Sequence, residues 1–368
     1  MSNHKKVKEP LFHIVKRDTL NWWEPWVVRG IAIALSLVIA GVLTFLLTGV
    51  DPITLYTEMI DCNFGTDRSI WKLLQGMAML LCIALAVTPA FKMKFWNIGA
   101  EGQVLMGALA TGTCMLHLTG KVPTFMLFII MILAAVISGA IWAVVPAIFR
   151  AKWGTNETLF TLMMNYVAIQ ILNYFSSVWA NPVGSGSIGV INLDTEIGWL
   201  PVIGENEYLL NVIIVAVITV AMFIYLKYSK QGYEISVVGE SKNTAKYIGI
   251  NVKKVIIRTM LISGAICGIA GFLLVSGTNH TMNSDTAAGR GFTAIIVSWL
   301  AKFNPFYMVL SSFLVVFLQN AARNLSQIGL DIAFADILTG IIFFFIIGSE
   351  FFINYSLKFR KKEVSDNV

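Results

Sequence analysis

Charge is what this chain has least of. Asp, Glu, Lys and Arg make up 13% of its 368 residues, about half the share of an ordinary soluble domain. With 57% hydrophobic residues and a mean hydropathy of +0.73, that shortage excludes a soluble enzyme and a disordered tail protein. Cysteine is scarce as well. Cys62, Cys82, Cys114 and Cys267 show no metal spacing and three sit inside apolar runs, which excludes a disulfide scaffold and reads as small core residues. No G-x-x-x-x-G-K-[ST] phosphate loop occurs, so the chain does not hydrolyse ATP itself. His4, His13, His117 and His280 have neither metal spacing nor a nucleophile partner, and no catalytic constellation stands out. Gly184-Ser185-Gly186-Ser187-Ile188-Gly189 matches the dinucleotide fingerprint. It lacks the strand before and the helix after that such a site needs, and is read as chance.

What is present is a series of apolar runs, each of about 20 residues and each enough to cross a hydrocarbon core of about 30 Å. The chain reads as an all-α polytopic membrane protein with ten segments near 30–50, 70–91, 97–118, 123–149, 157–180, 208–227, 255–277, 287–302, 304–322 and 333–353. The eighth is short and begins beside Gly289-Arg290-Gly291, as a half-helix would. Residues 1–29 are a basic arm, too polar for a cleavable signal, and the run from Gly30 is expected to act as a retained anchor. Residues 30–353 form the membrane domain and 354–368 a tail.

With both termini placed in the cytoplasm, 22 of the 27 Lys and Arg fall on the inner side, as the positive-inside rule requires. The net charge of +6 therefore reads as topology signals and headgroup contacts, not as a nucleic-acid surface. Trp22, Trp23 and Trp26 suit an interfacial belt. The outer connection 181–207 holds Asp194, Glu196, Glu205 and Glu207 but no Lys or Arg, and the longest inner connection runs over 228–254.

Polar residues inside spans are costly, so they mark pathways or pairing sites. Asn97, Glu101 and Gln103 enter the third span, and the glycines among them allow a break in the helix. Glu101 either faces a pathway or pairs with Lys92 or Lys94. On the fifth span Asn165, Tyr166, Gln170, Asn173 and Tyr174 form a second polar cluster, too spread around the helix for all to face one way. Arg290, at the outer end of the eighth segment, meets a ligand or snorkels to headgroups. Asn97, Glu101, Gln103, Asn165, Asn173 and Arg290 are the pathway candidates. Gly264 and Gly268 make a G-x-x-x-G step, read as a packing face.

Asn97-Ile98-Gly99-Ala100-Glu101-Gly102-Gln103 followed by Met106-Gly107-Ala108 resembles the signature of permease subunits of bacterial ABC importers for nucleosides and simple sugars. Gly232 to Glu240, Ala245 to Ile250, Ser263 to Gly271 and Gly291 to Val297 leading into Asn304-Pro305 agree in order and spacing, and the signature leans to the nucleoside branch. The resemblance implies a fold like the ten-helix permease of cobalamin-type (type II) importers, in the bacterial cytoplasmic membrane. It also implies no cofactor on this chain, with ATP bound by partner ABC ATPase subunits, a second related permease chain, and an extracellular substrate-binding lipoprotein. Trp96 departs from the pattern. The ATPase-coupling candidates are Glu240, Ser241, Ala245, Tyr247 and Gly249. Ser241 caps a short helix, Gly249 ends it, and Ala245 with Ile248 and Tyr247 offers an apolar face. The competing reading is an ion-coupled secondary transporter of a small polar solute using Glu101.

Overall fold

The computed structural model describes residues 12–17, 21, 23–182, 184–204, 206–324 and 332–359. Trp22, Glu205 and the basic residues at 5–8 and 360–362 lie outside them. In chain order the elements are β1 (Phe12–Lys16), α1 (Glu24–Thr48), α2 (Pro52–Phe64), α3 (Asp67–Lys92), α4 (Ala100–Leu118), α5 (Thr124–Trp153), α6 (Glu157–Val178) and α7 (Leu209–Tyr228). Then follow α8 (Lys230–Glu240), α9 (Lys242–Tyr247), α10 (Val252–Leu274), α11 (Arg290–Leu300), α12 (Pro305–Asn324), α13 (Ile332–Asn354) and β2 (Tyr355–Phe359). A π-helical turn, Val275–Asn279, extends α10.

Each of the ten expected segments coincides with a helix. Seven of them (α1, α3, α5, α7, α10, α12 and α13) are long and apolar enough by themselves to cross a membrane. α4 is not, yet it is buried along most of its length, so neighbouring helices replace the lipid it would otherwise face. α11 has 11 residues, about 16 Å at 1.5 Å per residue, and covers about half of a hydrocarbon core. It is a half-helix, as its glycine-flanked start suggested.

The chain divides into two compact units. The first joins the residues up to Cys62 with those from Leu318 onward. Here α1 lies along α13, and Arg29 pairs with Glu350. α2, an amphipathic helix the hydropathy pattern does not show, folds back so that the Tyr56 hydroxyl donates to the Leu37 carbonyl. The arm and tail meet here too. β1 and β2 pair antiparallel, in register from Phe12 opposite Phe359 to Lys16 opposite Tyr355.

The second unit, Asn63–Phe317, centres on α10, which packs on α5, α4 and α3. The small-residue face expected around Gly264 is a packing face: a Cβ on Gly264 would strike the Gly139 carbonyl, and one on Gly268 the Ala135 carbonyl. Backbones that close gain dispersion and weak hydrogen bonds that side chains would block. Cys82, Cys114 and Cys267 are buried among these helices. The connection 181–207 folds over one end of the unit. Leu200 N–H donates to the Ser276 carbonyl at 2.9 Å, Ile191 N–H to that of His280 at 2.7 Å, and Trp199 stacks on His280 at 3.8 Å. Gly184–Gly189 lies in this connection, in turns and irregular backbone, so it forms no strand-turn-helix dinucleotide site.

Candidate functional site

The signature forms the turn between α3 and α4 together with the first turn of α4. A helix start leaves four backbone N–H groups unpaired, and here side chains from several elements supply the acceptors. Asn97 Oδ1 accepts from Gly99 N–H at 3.1 Å and from the Gln103 amide at 3.0 Å, while its Nδ2 donates to Ser263 of α10 at 3.2 Å. From α6, Asn165 Oδ1 accepts from Gly102 N–H at 2.8 Å and its Nδ2 donates to the Ile98 carbonyl at 2.9 Å. Thr161, one turn earlier, accepts from Ile98 N–H at 3.2 Å. Asn97, Gln103 and Asn165 are all buried, and burial without partners would cost each group about 1–3 kcal/mol.

Glu101 reaches across to α11. Its two carboxylate oxygens accept from Gly289 N–H at 2.8 Å and Gly291 N–H at 2.7 Å. This is an N-cap delivered from another helix, with negative charge at the positive end of the α11 dipole. Both glycines are required by geometry. Gly289 sits at φ +70, and a Cβ on Gly291 would stand 2.7 Å from Glu101 Cα. The Arg290 side chain adds its own electrostatic attraction to Glu101. The carboxylate's partners are thus the start of α11, not Lys92 or Lys94.

Arg290 itself is displaced from expectation. Instead of marking the outer end of a span, it stands beside the first turn of α4, which the charge tally assigns to the inner side. The reason is the path of the chain before it. Met282 packs against Gly112 of α4, and Ser176 of α6 donates to the Met282 carbonyl at 3.4 Å. Residues 283–288 then descend along α4 without forming a helix. Irregular backbone at that depth is tolerated where protein or water satisfies it. Met282, Thr286 and Ala287 are buried there, while Asp285 is exposed.

Of the sequence candidates, Asn97, Glu101, Gln103, Asn165 and Arg290 gather around this joint of α4, α6, α10 and α11. Asn173 stands apart from it, half-buried two turns further along α6. Sequence reasoning missed Thr161 and the acceptor role of Glu101 towards Gly289 and Gly291. The glycine pair around Arg290 was the available signal.

Within the connection 228–254, α8 and α9 form a compact elbow. Ser241 caps α9 by accepting from Thr244 N–H at 3.2 Å, and Gly249, at φ +83, ends it with Ile250 N–H donating to the Ala245 carbonyl at 2.9 Å. Both capping expectations are met. The apolar face is not as expected, because Ala245 is fully buried in a core cluster with Met93, Phe95, Val238 and Ile256. Spacing suggested that Ala245 and Ile248 share a face, but the helix stops at Tyr247 and Ile248 turns outward with the chain. Tyr247 is 95% exposed and Ile248 55%. Glu240, the last residue of α8, is also exposed. Gly239 lets α8 abut the end of α3, since a Cβ there would strike the Lys92 carbonyl.

Sequence comparison assigns the chain to a family. The family described as the permease component of the branched-chain amino acid transport system matches residues 69–347. The chain belongs to that family. The permease is 28% identical to a glucose ABC transporter permease protein of Haloferax volcanii, over 92% of this chain and 91% of that one. It is 29% identical to a guanosine ABC transporter permease protein of Bacillus subtilis (89% and 93% covered), and 27% identical to a nucleoside ABC transporter permease protein of Lactococcus lactis (83% and 86%). It is a multi-pass membrane protein of the ABC permease type. Among the described residues nothing speaks for an ion-coupled carrier, since both oxygens of Glu101 are engaged by backbone amides.

Proposed function

We propose that this permease is the membrane-spanning subunit of an ATP-driven importer of nucleosides. It works with two ATP-hydrolysing subunits, a second related permease chain and an extracellular substrate-binding lipoprotein, in the bacterial cytoplasmic membrane with both termini inside. The chain is the translocating part and leaves ATP hydrolysis to its partners. The observation that carries this reading is the α8–α9 elbow. An ATPase without a membrane segment must push on something rigid, and Ala245 seats the elbow on α3, α8 and α10 while Tyr247 and Ile248 project as an exposed apolar tip for a groove on the partner. The nucleoside assignment draws on the two relatives whose names carry it. The reading is tested by uptake of labelled nucleosides, against pentoses, in cells with and without the chain. Import that requires it, survives an uncoupler and stops on ATP depletion supports the proposal, and uncoupler-sensitive import contradicts it. For orientation, a cysteine at Ser187 is expected to label with an impermeant thiol reagent in intact cells and one at Asn243 is not. The reverse pattern would invert the topology.

A further inference from the structure

The outward faces of α5 and α7 are what lipid requires. The exposed residues of α5 between Phe125 and Phe149 are all apolar, as are those of α7 between Ile213 and Ile224. α6 differs. It is 22 residues long and carries Asn165, Tyr166, Gln170, Asn173 and Tyr174 among its apolar residues. Unlike α4, it is not wrapped by neighbours. Its buried stripe, which includes Thr161, Asn165, Ala168 and Leu172, meets α4 and α5. Its opposite stripe is exposed and carries Tyr166, Gln170 and Tyr174, one helical turn apart. They line a shallow open groove together with Val167, Ile171 and Phe175. An amide turned into hydrocarbon costs several kcal/mol, so lipid is the wrong neighbour for Gln170.

A second observation comes from the segment before α11. The descending segment is tied to α6 at Ser176 and runs between the levels of Gly112 and Glu101 on α4. Asp285 is exposed on that segment. A carboxylate facing lipid at that depth costs about 2.5–3.5 kcal/mol on insertion scales. Two elements joined at Ser176 thus turn polar groups outward, which suits water and not lipid.

We infer that the outward stripe of α6 is a wall of the water-lined path, that the exposed Asp285 faces the same path, and that together they handle a ribonucleoside as a whole. The inference rests on the importer reading above and gives it residues. Tyr rings take a nucleobase by its flat face. The Gln170 carboxamide offers both donor and acceptor to the base edge. Asp285, acceptor-only when ionised, suits the vicinal hydroxyls of ribose, as a carboxylate does in dinucleotide sites. The outward residues, not the buried Asn165, are then the ones that meet substrate.

The test uses cells carrying the complete transporter. Gln170→Leu and Tyr174→Leu make the stripe more apolar, so membrane insertion is not impaired, and nucleoside uptake is expected to fall tenfold or more. Asp285→Asn is expected to lower ribonucleoside uptake at least tenfold while changing 2′,3′-dideoxynucleoside uptake less than twofold. Gln170→Cys is expected to react with a charged, water-soluble thiol reagent, more slowly when excess nucleoside is present. Val217→Cys, on the aliphatic face of α7, is expected to stay unreactive. Wild-type rates in Gln170→Leu and Asp285→Asn, or an inert Gln170→Cys in a transporter that still imports, would overturn the inference and leave the importer reading standing. Wild-type cells that take up no nucleoside would instead overturn the substrate assignment itself. In that case reaction of Gln170→Cys still establishes the water-lined wall, and its inertness overturns it.

Discussion

Replacing Glu101 with glutamine exchanges a single heavy atom, yet a large local effect is expected. The carboxylate accepts from both Gly289 and Gly291 N–H. A carboxamide has one oxygen to accept with and presents an NH2 group to the other donor. One buried amide then loses its partner, at about 1–3 kcal/mol. The interaction of a negative charge with the start of α11 is lost too, at about 0.3–1 kcal/mol and more when partly buried. The sum, about 1.3–4 kcal/mol, corresponds to a roughly 8- to 700-fold rise in local opening at 1.4 kcal/mol per factor of ten. Hydrogen–deuterium exchange of the peptide containing Gly289 and Gly291 reads this directly. Glu101→Ala, which strands both amides and leaves a void, is expected to exceed it. Protection in Glu101→Gln equal to wild type would refute the capping role. An ion-coupling carboxylate predicts that result, with altered coupling and an undisturbed α11.

Tyr247→Asp is expected to abolish uptake and uncouple ATP hydrolysis while the thermal unfolding midpoint stays unchanged, because a side chain 95% exposed supports no core. Ala245→Lys, by contrast, is expected to lower the unfolding midpoint as well, since it drives a charge into the elbow's seat. Gly268→Ala is expected to destabilise the detergent-solubilised protein by about 1–3 kcal/mol or more, since the added carbon meets the Ala135 carbonyl. Gly30→Ala, with nothing within 4 Å, is expected to be neutral or to stabilise by up to about 1 kcal/mol through helix propensity. His280 carries a pH dependence. Burial lowers its pKa from the ordinary 6.5 against the opposing pull of Glu207 and Glu196, and its Nδ1 has no hydrogen-bond partner among the described residues. Because the unfolded chain takes up the proton first, the contribution to stability is complete above about pH 6.5 and is lost as pH falls through the folded value. Unfolding midpoints followed from pH 7.5 to 5 are expected to fall less in His280→Phe than in wild type.

Residue-by-residue physics settled much of this protein. Transfer from water to hydrocarbon is additive along the chain, so apolar runs located the ten segments to within a few residues. Caps such as Ser241 and Gly249 act on backbone groups within a turn or so, and they too were legible. The Gly264 packing face needed only small residues one turn apart. α2 was missed because its Glu58 and Asp61 interrupt any apolar run. The rest depends on residues far apart in sequence. Helical periodicity put Asn165 and Tyr166 on different faces of α6, but which face the protein covers was decided by α4 and α5. No local rule could pair Glu101 with amides 188 and 190 residues away, or β1 with β2 across nearly the whole chain. Arg290 was assigned to an outer end because a charge tally assumes that each segment crosses fully. Only the tertiary path, which brings residues 283–288 down along α4 before α11 begins, could show that this one does not.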